Sequence, residues 1–358
     1  MRAFESKQEF CQWLGEFTAN NLKIGWSEIP DVVSVLASGE FKITLPFANK
    51  TTVDELEAWI RKEQESQRVA PFDFSVSSET KSLVTTVAAE VKGVKNIIAV
   101  TSAKGGVGKS TTAVNLALAI SALGAKVGIL DSDVYGPSVP LMLGKMDAHP
   151  EVRDGKWMQP VQAHGIYTQS IGYLISSDDA AIWRGPMASK ALAQLLNETE
   201  WPDLDYLILD MPPGTGDIQL TLSQQIPVTA AVIVTTPQDL ALADAIKGVA
   251  MFEKVSVPVV GVIENMSYHI CSQCGSKEHI FGSGGAEWMA SKFGINMLAQ
   301  VPLHIDIRES IDNGAPTVAS DPQGEHAAIY HALAERVCAD LYWGGKVRPD
   351  AIQFTMVQ

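Results

Sequence analysis

The spacing of apolar residues changes character once along this chain, and the change divides it. Over the first seventy or so residues the pattern is mixed. Residues 4–17 have helical spacing, VVSVLA (32–37) and FKITLPF (41–47) read as a hairpin across Ser38-Gly39, and TTVDELEAWIRK (51–62) is an amphipathic helix. Thr52 is its expected N-cap, with Glu55 three residues on. These elements predict a small α+β module over residues 1–75. Residues 76–95 are polar, rich in Ser, Thr and Lys, and read as a linker.

From residue 96 the pattern is different. NIIAVTS (96–102), KVGILDSD (126–133), YLILDMP (206–212), AAVIVTT (230–236) and VPVVGVI (257–263) show little alternation, as strands buried on both faces do. Helical patterns over 109–123 and 240–255 lie between them. The expected fold is α/β, a doubly wound, mainly parallel sheet over 96–345, with a tail at 346–358.

Composition narrows the functions available. The 358 residues suit one large and one small domain, and 46% apolar with 19% charged residues excludes general disorder. A net charge of -14 argues against nucleic acid or an anionic membrane as main partner. Four cysteines are too few for a disulfide framework. The opening MRAFESKQEF carries no signal pattern, and no apolar run reaches the ~18 residues of a membrane span. The expectation is a cytoplasmic protein.

SAKGGVGKSTT (102–112) stands between a strand pattern and a helix pattern, the context of a phosphate-binding loop. Ala103 occupies the place of the first glycine in G-x-x-x-x-G-K-[ST], and Lys104 is an additional cation. Gly105, Gly106 and Gly108 let successive N–H groups, that of Val107 included, turn towards phosphate oxygens. Lys109 suits the β- and γ-phosphates of ATP, Ser110 suits Mg²⁺, and Thr111 completes the motif. Asp210, ending YLILD, is a Walker B type acid for the Mg²⁺ shell, and PPGTGD after it reads as a switch loop. Asp131 and Asp133, in ILDSDVYGPS, fall on the same sheet edge. One aspartate at a strand end is more often a helix cap; several beside a phosphate loop favour a site.

Cys271 and Cys274, in HICSQCG, form C-x-x-C followed by Gly275, a turn that aims two thiolates at one point. A redox dithiol would need a thioredoxin-like context that is absent. A zinc knuckle could be completed within one chain by His269 or His279. Alternatively, two chains each give two thiolates to a Cys₄ iron-sulfur site. Cys11 and Cys338 lie in helical patterns and read as small buried hydrophobes. Arg184, in WRGP, is either a partner contact or a solvated turn residue.

KGGVGKST (104–111) resembles the deviant Walker A motif of nitrogenase iron protein, MinD, ParA and the Mrp/ApbC group. With GILDSDVYGPSVP, WRGPMASKAL, DYLILDMPPGTGD, VIVTTPQDLAL and ENMSYHICSQCG, the chain resembles the Mrp/ApbC-type iron-sulfur carrier ATPases over about residues 96–343. The resemblance implies that Ala103 is tolerated and that Lys104 reaches the partner subunit's nucleotide. It further implies that Asp133 orients the attacking water, Asp210 supports Mg²⁺ and Asn265 recognises adenine. The implied molecule is a homodimer that hydrolyses ATP slowly and holds a transferable [4Fe-4S] cluster on Cys271 and Cys274 of both subunits. It would exchange that cluster with an assembly scaffold and apo iron-sulfur clients, the switch at 210–217 signalling to the cysteine loop. The N-terminal module faintly resembles the small MIP18-like domain that often precedes this ATPase. Two other readings stand beside this one. A MinD/ParA-like positioning ATPase fits poorly with a tail, VRPDAIQFTMVQ, that has one arginine and no apolar helical face. A zinc-stabilised nucleotide-binding scaffold would be recognised by its metal content.

Overall fold

The computed structural model describes residues 2–174, 185–214, 216–271 and 273–349. The N-terminal module contains α1 (Lys7–Leu14), β1 (Val33–Val35), β2 (Phe41–Leu45), α2 (Lys50–Glu65) and β3 (Phe74–Ser78). β1 and β2 form the antiparallel hairpin, with Val33 opposite Ile43. β3 runs parallel to β2, so the segment that reads as linker from residue 76 begins inside a sheet. Its FSVSS sequence is half-buried throughout and carries no alternation from which a strand could be read. α2 also starts earlier than its apolar pattern suggests. Asn49, not Thr52, is the cap: its Oδ1 accepts the Thr52 N–H at 3.0 Å, and the Thr52 hydroxyl donates to Asn21 instead. Asn caps at least as well as Thr, and it stands one turn nearer the chain entry.

The larger domain begins with β4 (Val94–Thr101), α3 (Lys109–Ala122), β5 (Val127–Asp131) and α4 (Val139–Met142). A small ribbon of β6 (Val152–Arg153) and β7 (Trp157–Met158) precedes β8 (Val161–Ala163) and β9 (Ile166–Ser170). Then come α5 (Gly185–Glu198), β10 (Leu204–Asp210), α6 (Asp217–Gln225), β11 (Ala230–Thr235), α7 (Asp239–Lys254) and β12 (Val259–Glu264). The hairpin β13 (His269–Ile270) and β14 (Lys277–Glu278) leads to α8 (Gly285–Phe293), β15 (Asn296–Gln300), α9 (Ile305–Asp312), α10 (Thr317–Ser320) and α11 (Glu325–Gly344). Trp183 and Arg184 lie outside the described residues.

Eight strands make the central sheet in the order β15-β12-β11-β4-β10-β5-β9-β8, parallel except for the last pair. β4 is central: the chain departs from it to one side towards β5 and later to the other towards β11. Its carboxyl end is therefore the place where such a sheet opens a crevice for a ligand. The five strands legible as apolar runs are all in this sheet. β9 and β15 escape notice because they are short and mixed in polarity, IYTQS and NMLAQ. α3 is buried on every side between the sheet and α11, which is why AVNLALAI has almost no polar face.

The N-terminal module docks on this helical layer. Phe47 and Ala48 join the core built around α3 and α11. The Lys50 N–H donates to the Leu123 carbonyl at 3.2 Å, and the Trp343 indole donates to Asn21 O at 2.8 Å. Among the described residues no helix is long and apolar enough to cross a membrane.

Candidate functional site

The phosphate loop runs from the end of β4 to the cap of α3. Gly106 and Gly108 have φ of +80° and +81°, a region that side chains avoid, so glycine is required there by the backbone path itself. Gly108 is also closely covered, since a Cβ on it would lie 2.1 Å from the Asn265 amide nitrogen. Gly108→Ala is therefore expected to distort the loop and cost about 1–3 kcal/mol. A urea titration together with a nucleotide-binding measurement will show it; unchanged nucleotide affinity would refute this account of the loop. The loop lines a cavity of about 200 Å³ with Gly105, Gly106, Lys109, Ser110, Thr111 and Asp133 on its walls. Val107 is buried beneath it. Ala103 makes no difficulty, because the turn is completed by the glycines that follow it.

Lys109 is buried and bonds Asp210 Oδ1 at 2.5 Å and Ser110 Oγ at 3.0 Å. The second oxygen of Asp210, Oδ2, is fully buried and has no hydrogen-bond partner. An orphaned carboxylate oxygen in such a place is costly unless something fills it. With the Ser110 hydroxyl beside the same lysine, these donors fit a Mg²⁺ and its water shell.

Asp131 and Asp133 differ in what they do. Asp131 is fully buried, and its oxygens accept from the Asp133, Ser138 and Val139 backbone N–H groups and from Ser170 Oγ. Through these four bonds it braces the loop to α4. Burial, aided by repulsion from Asp210, pushes its pKa up to about 7. A carboxyl raised in the fold binds its proton more tightly folded than unfolded. Stability of the nucleotide-free protein should therefore fall as pH rises from about 4 to about 7. Urea midpoints across that range test this, and Asp131→Asn should flatten the slope. Asp133 is half-buried on the cavity wall, its pKa also raised by burial and partly restored by Lys109.

Lys104 is exposed and forms no ion pair among the described residues. Its backbone carbonyl is held by Ser102 Oγ at 2.9 Å, leaving the side chain free to extend outward. Asn265, by contrast, is buried and donates to the Val107 carbonyl at 2.8 Å. In this arrangement its amide holds the phosphate loop at Val107.

Cys271 and Cys274 sit at the tip of the β13–β14 hairpin. The turn is closed by Cys271 N–H to Ser276 O at 2.9 Å and Gly275 N–H to Cys271 O at 2.8 Å, with Gly275 at φ +71°. Backbone N–H groups of Gln273 and Cys274 point at the Cys271 sulfur and pull its pKa down, which favours the thiolate. Cys271 is half-buried, Cys274 exposed. Among the described residues, no third His, Cys, Asp or Glu ligand atom gathers with these thiols. The Nδ1 atoms of His269 and His279 face the Leu303 and Ser267 carbonyls. In this arrangement neither ring joins the thiols in a three-ligand group. Cys11 and Cys338 are buried, far along the chain from this hairpin, and burial pushes both thiols up.

Residues 93–338 match the ParA family model, described as NUBPL iron-transfer P-loop NTPase. The chain belongs to this family. Among its relatives is the iron-sulfur cluster carrier protein of Escherichia coli K12, 65% identical over 267 residues, covering 75% of this chain and 72% of the relative. The iron-sulfur cluster transfer protein NUBPL of Dictyostelium discoideum is 50% identical over 252 residues, covering 70% of this chain and 78% of that one. A solved structure of the nucleotide-binding protein from Archaeoglobus fulgidus in complex with ADP matches with TM-score 0.58 and 35% identity, over 66% of this chain and 93% of that one. The parallel sheet and the phosphate loop between β4 and α3 are thus those of a P-loop NTPase.

Two supporting residues carry no motif that sequence reading could have used. Gln219 is buried under the switch loop and donates to Thr101 Oγ1 at 3.2 Å and to the Pro212 carbonyl. Glu264, fully buried, accepts from Ser267 Oγ at 2.6 Å and from the N–H of Ala286, holding the turn that carries Asn265. That turn leads directly to the cysteines: Asn265 stands six positions before Cys271.

Proposed function

We propose that this chain is an ATP-hydrolysing iron-sulfur cluster carrier that works as a homodimer in the cytoplasm. The observation that carries the reading is the hairpin tip, where two thiols stand ready for a metal centre and no further ligand of the described residues joins them. A two-fold dimer doubles two thiolates to four, the ligand set of a [4Fe-4S] cluster. The names of the similar proteins point to the same cargo. A cluster on an exposed tip can be handed on, so apo iron-sulfur proteins are the recipients and an assembly scaffold the donor.

The nucleotide chemistry follows from the phosphate loop. Backbone N–H groups of residues 105–111 and the N-terminus of α3 hold the ATP phosphates, and Lys109 neutralises the β- and γ-oxygens. Ser110 and Asp210 would hold Mg²⁺, which supplies charge neutralisation at the transferring phosphoryl. Asp133 orients the attacking water. Lys104 extends across the dimer to the other nucleotide and stabilises charge there only when the subunits have closed. Closure reaches the cysteines through Asn265, because the same short turn touches Val107 and ends in the hairpin. The switch at 210–217 acts on the loop from its other side, through the Gly214 N–H bond to Ser102 O.

Anaerobic reconstitution with iron and sulfide tests the reading. The expected product is a dimer with about four iron and four acid-labile sulfide atoms that passes its cluster to an apo-ferredoxin. Zinc at one per chain with no iron uptake would overturn it.

A further inference from the structure

A second cluster of metal-ligating side chains lies at the foot of the cysteine hairpin. His304, Asp306 and His326 each place a ligand atom within 4.8 Å of the others. His304 caps α9, Asp306 is in its first turn, and His326 is in the first turn of α11, so the two helix starts meet at this corner. The rings are 4.4 Å apart between centroids and both largely buried, with side-chain exposures of 15% for His304 and 9% for His326. His304 Nδ1 lies 3.5 Å from Asp306 Oδ2, and His326 Nε2 lies 3.8 Å from Glu325 Oε1.

A helix N-terminus favours an acid in its first turn, and that accounts for Asp306 and Glu325 alone. It does not call for two imidazoles packed together between them. Neither acid is paired with a lysine or arginine among the described residues; the histidines are their only basic neighbours. With both rings neutral, His326 brings a nitrogen lone pair that accepts no hydrogen bond among the described residues, while His304 Nδ1 accepts the Asp306 N–H at 3.2 Å, so an ion here would replace that cap bond beside two negative charges. Ligand atoms at about 2.1 Å around a tetrahedral ion are separated by about 3.4 Å, close to the spacing of His304 and Asp306. The exposed acids can adjust by rotamer, and the two imidazoles must turn against each other to bring their nitrogens to that spacing. Imidazole and carboxylate together select borderline first-row ions over Mg²⁺ or Ca²⁺.

We propose that His304, Asp306 and His326, with Glu325 in reach, bind one divalent first-row transition-metal ion. The site is independent of the cysteines in its ligands but joined to them in structure. Leu303, immediately before His304, bridges to His269 of β13, and its N–H donates to the Tyr268 carbonyl at 2.7 Å. An ion here would tie α9 and α11 to the base of the hairpin, stiffening the platform on which Cys271 and Cys274 are displayed.

The test uses the full-length chain carrying Cys271→Ser and Cys274→Ser, so that no hairpin thiolate contributes, titrated with Co²⁺ and followed by visible absorption and calorimetry. One Co²⁺ per chain is expected, with ligand-field bands and no sulfur-to-metal charge transfer. Asp306→Asn and His326→Gln should each weaken binding at least about tenfold. Asp306 is exposed, so its variant remains informative if the His326 variant fails to fold. Absence of stoichiometric binding, or equal affinity in Asp306→Asn, would overturn the proposal. Because the serine variant cannot hold the hairpin cluster, cobalt binding by it is unaffected by the fate of the carrier reading, which is judged on the unaltered chain.

Discussion

Lys109→Ala is expected to abolish ATP hydrolysis and, separately, to destabilise the fold, while Lys104→Ala abolishes hydrolysis alone. Lys109 is the only basic partner of the fully buried Asp210 carboxylate among the described residues. Removing it strands a charge in the sheet edge, at a cost of about 3–5 kcal/mol. It also removes the cation from the β- and γ-phosphates, so hydrolysis should fall at least about 100-fold. Lys104 is exposed and has no ion-pair partner among the described residues, so its loss should leave the urea midpoint within about 0.5 kcal/mol of the parent. Hydrolysis should still fall at least about 100-fold, if its charge acts on the partner's nucleotide. Mixing Lys104→Ala with a second variant inactive for a different reason, such as Asp133→Asn, should restore part of the activity, since one site of the mixed dimer is then intact. Hydrolysis by Lys104→Ala at the parental rate would remove the dimer from the mechanism.

Cys271→Ala should eliminate cluster loading with no effect on nucleotide affinity. The sulfur of Cys271 receives two backbone N–H groups and stands in a closed turn, which favours its thiolate. With no third ligand gathered at the tip, the remaining Cys274 has nothing nearby to take over. The loss should therefore be complete, with iron and sulfide both near zero after reconstitution. Cys274→Ala should act alike, and Cys338→Ala, in the buried α11, should load as the parent does. Retained loading in Cys271→Ala would place the cluster elsewhere and sink the carrier reading as stated here.

Much of this was legible because the strands that bear the site are buried on both faces. Continuous apolar runs ending in Ser102, Asp133 and Pro212 announce a parallel sheet with its chemistry at one edge, and the glycines of the phosphate loop are demanded by positive φ. Among the elements that passed unread, β3 and β15 are short and mixed in polarity because they lie at sheet edges where one side is less buried, whereas β9 is buried along nearly its whole length but carries Thr168, Gln169 and Ser170 there, so no apolar run marks it. The Asn49 cap was missed for a related reason: a cap is chosen by where the chain enters the helix, and Thr52 was as plausible by type.

The residue order alone specifies the kind of fold, the phosphate loop, the extra lysine and the pair of thiols, since each depends on spacing along the chain. Distances between segments far apart in sequence are settled only on folding. The Lys109–Asp210 pair brings together residues a hundred positions apart, and leaves the second Asp210 oxygen buried with no hydrogen-bond partner. Folding also gives Asp131 its bonds to the loop before α4 and Asn265 its bond to the Val107 carbonyl. Whether other ligands gather at the hairpin tip is likewise settled by packing, which brings no third His, Cys, Asp or Glu ligand atom to the two thiols among the described residues.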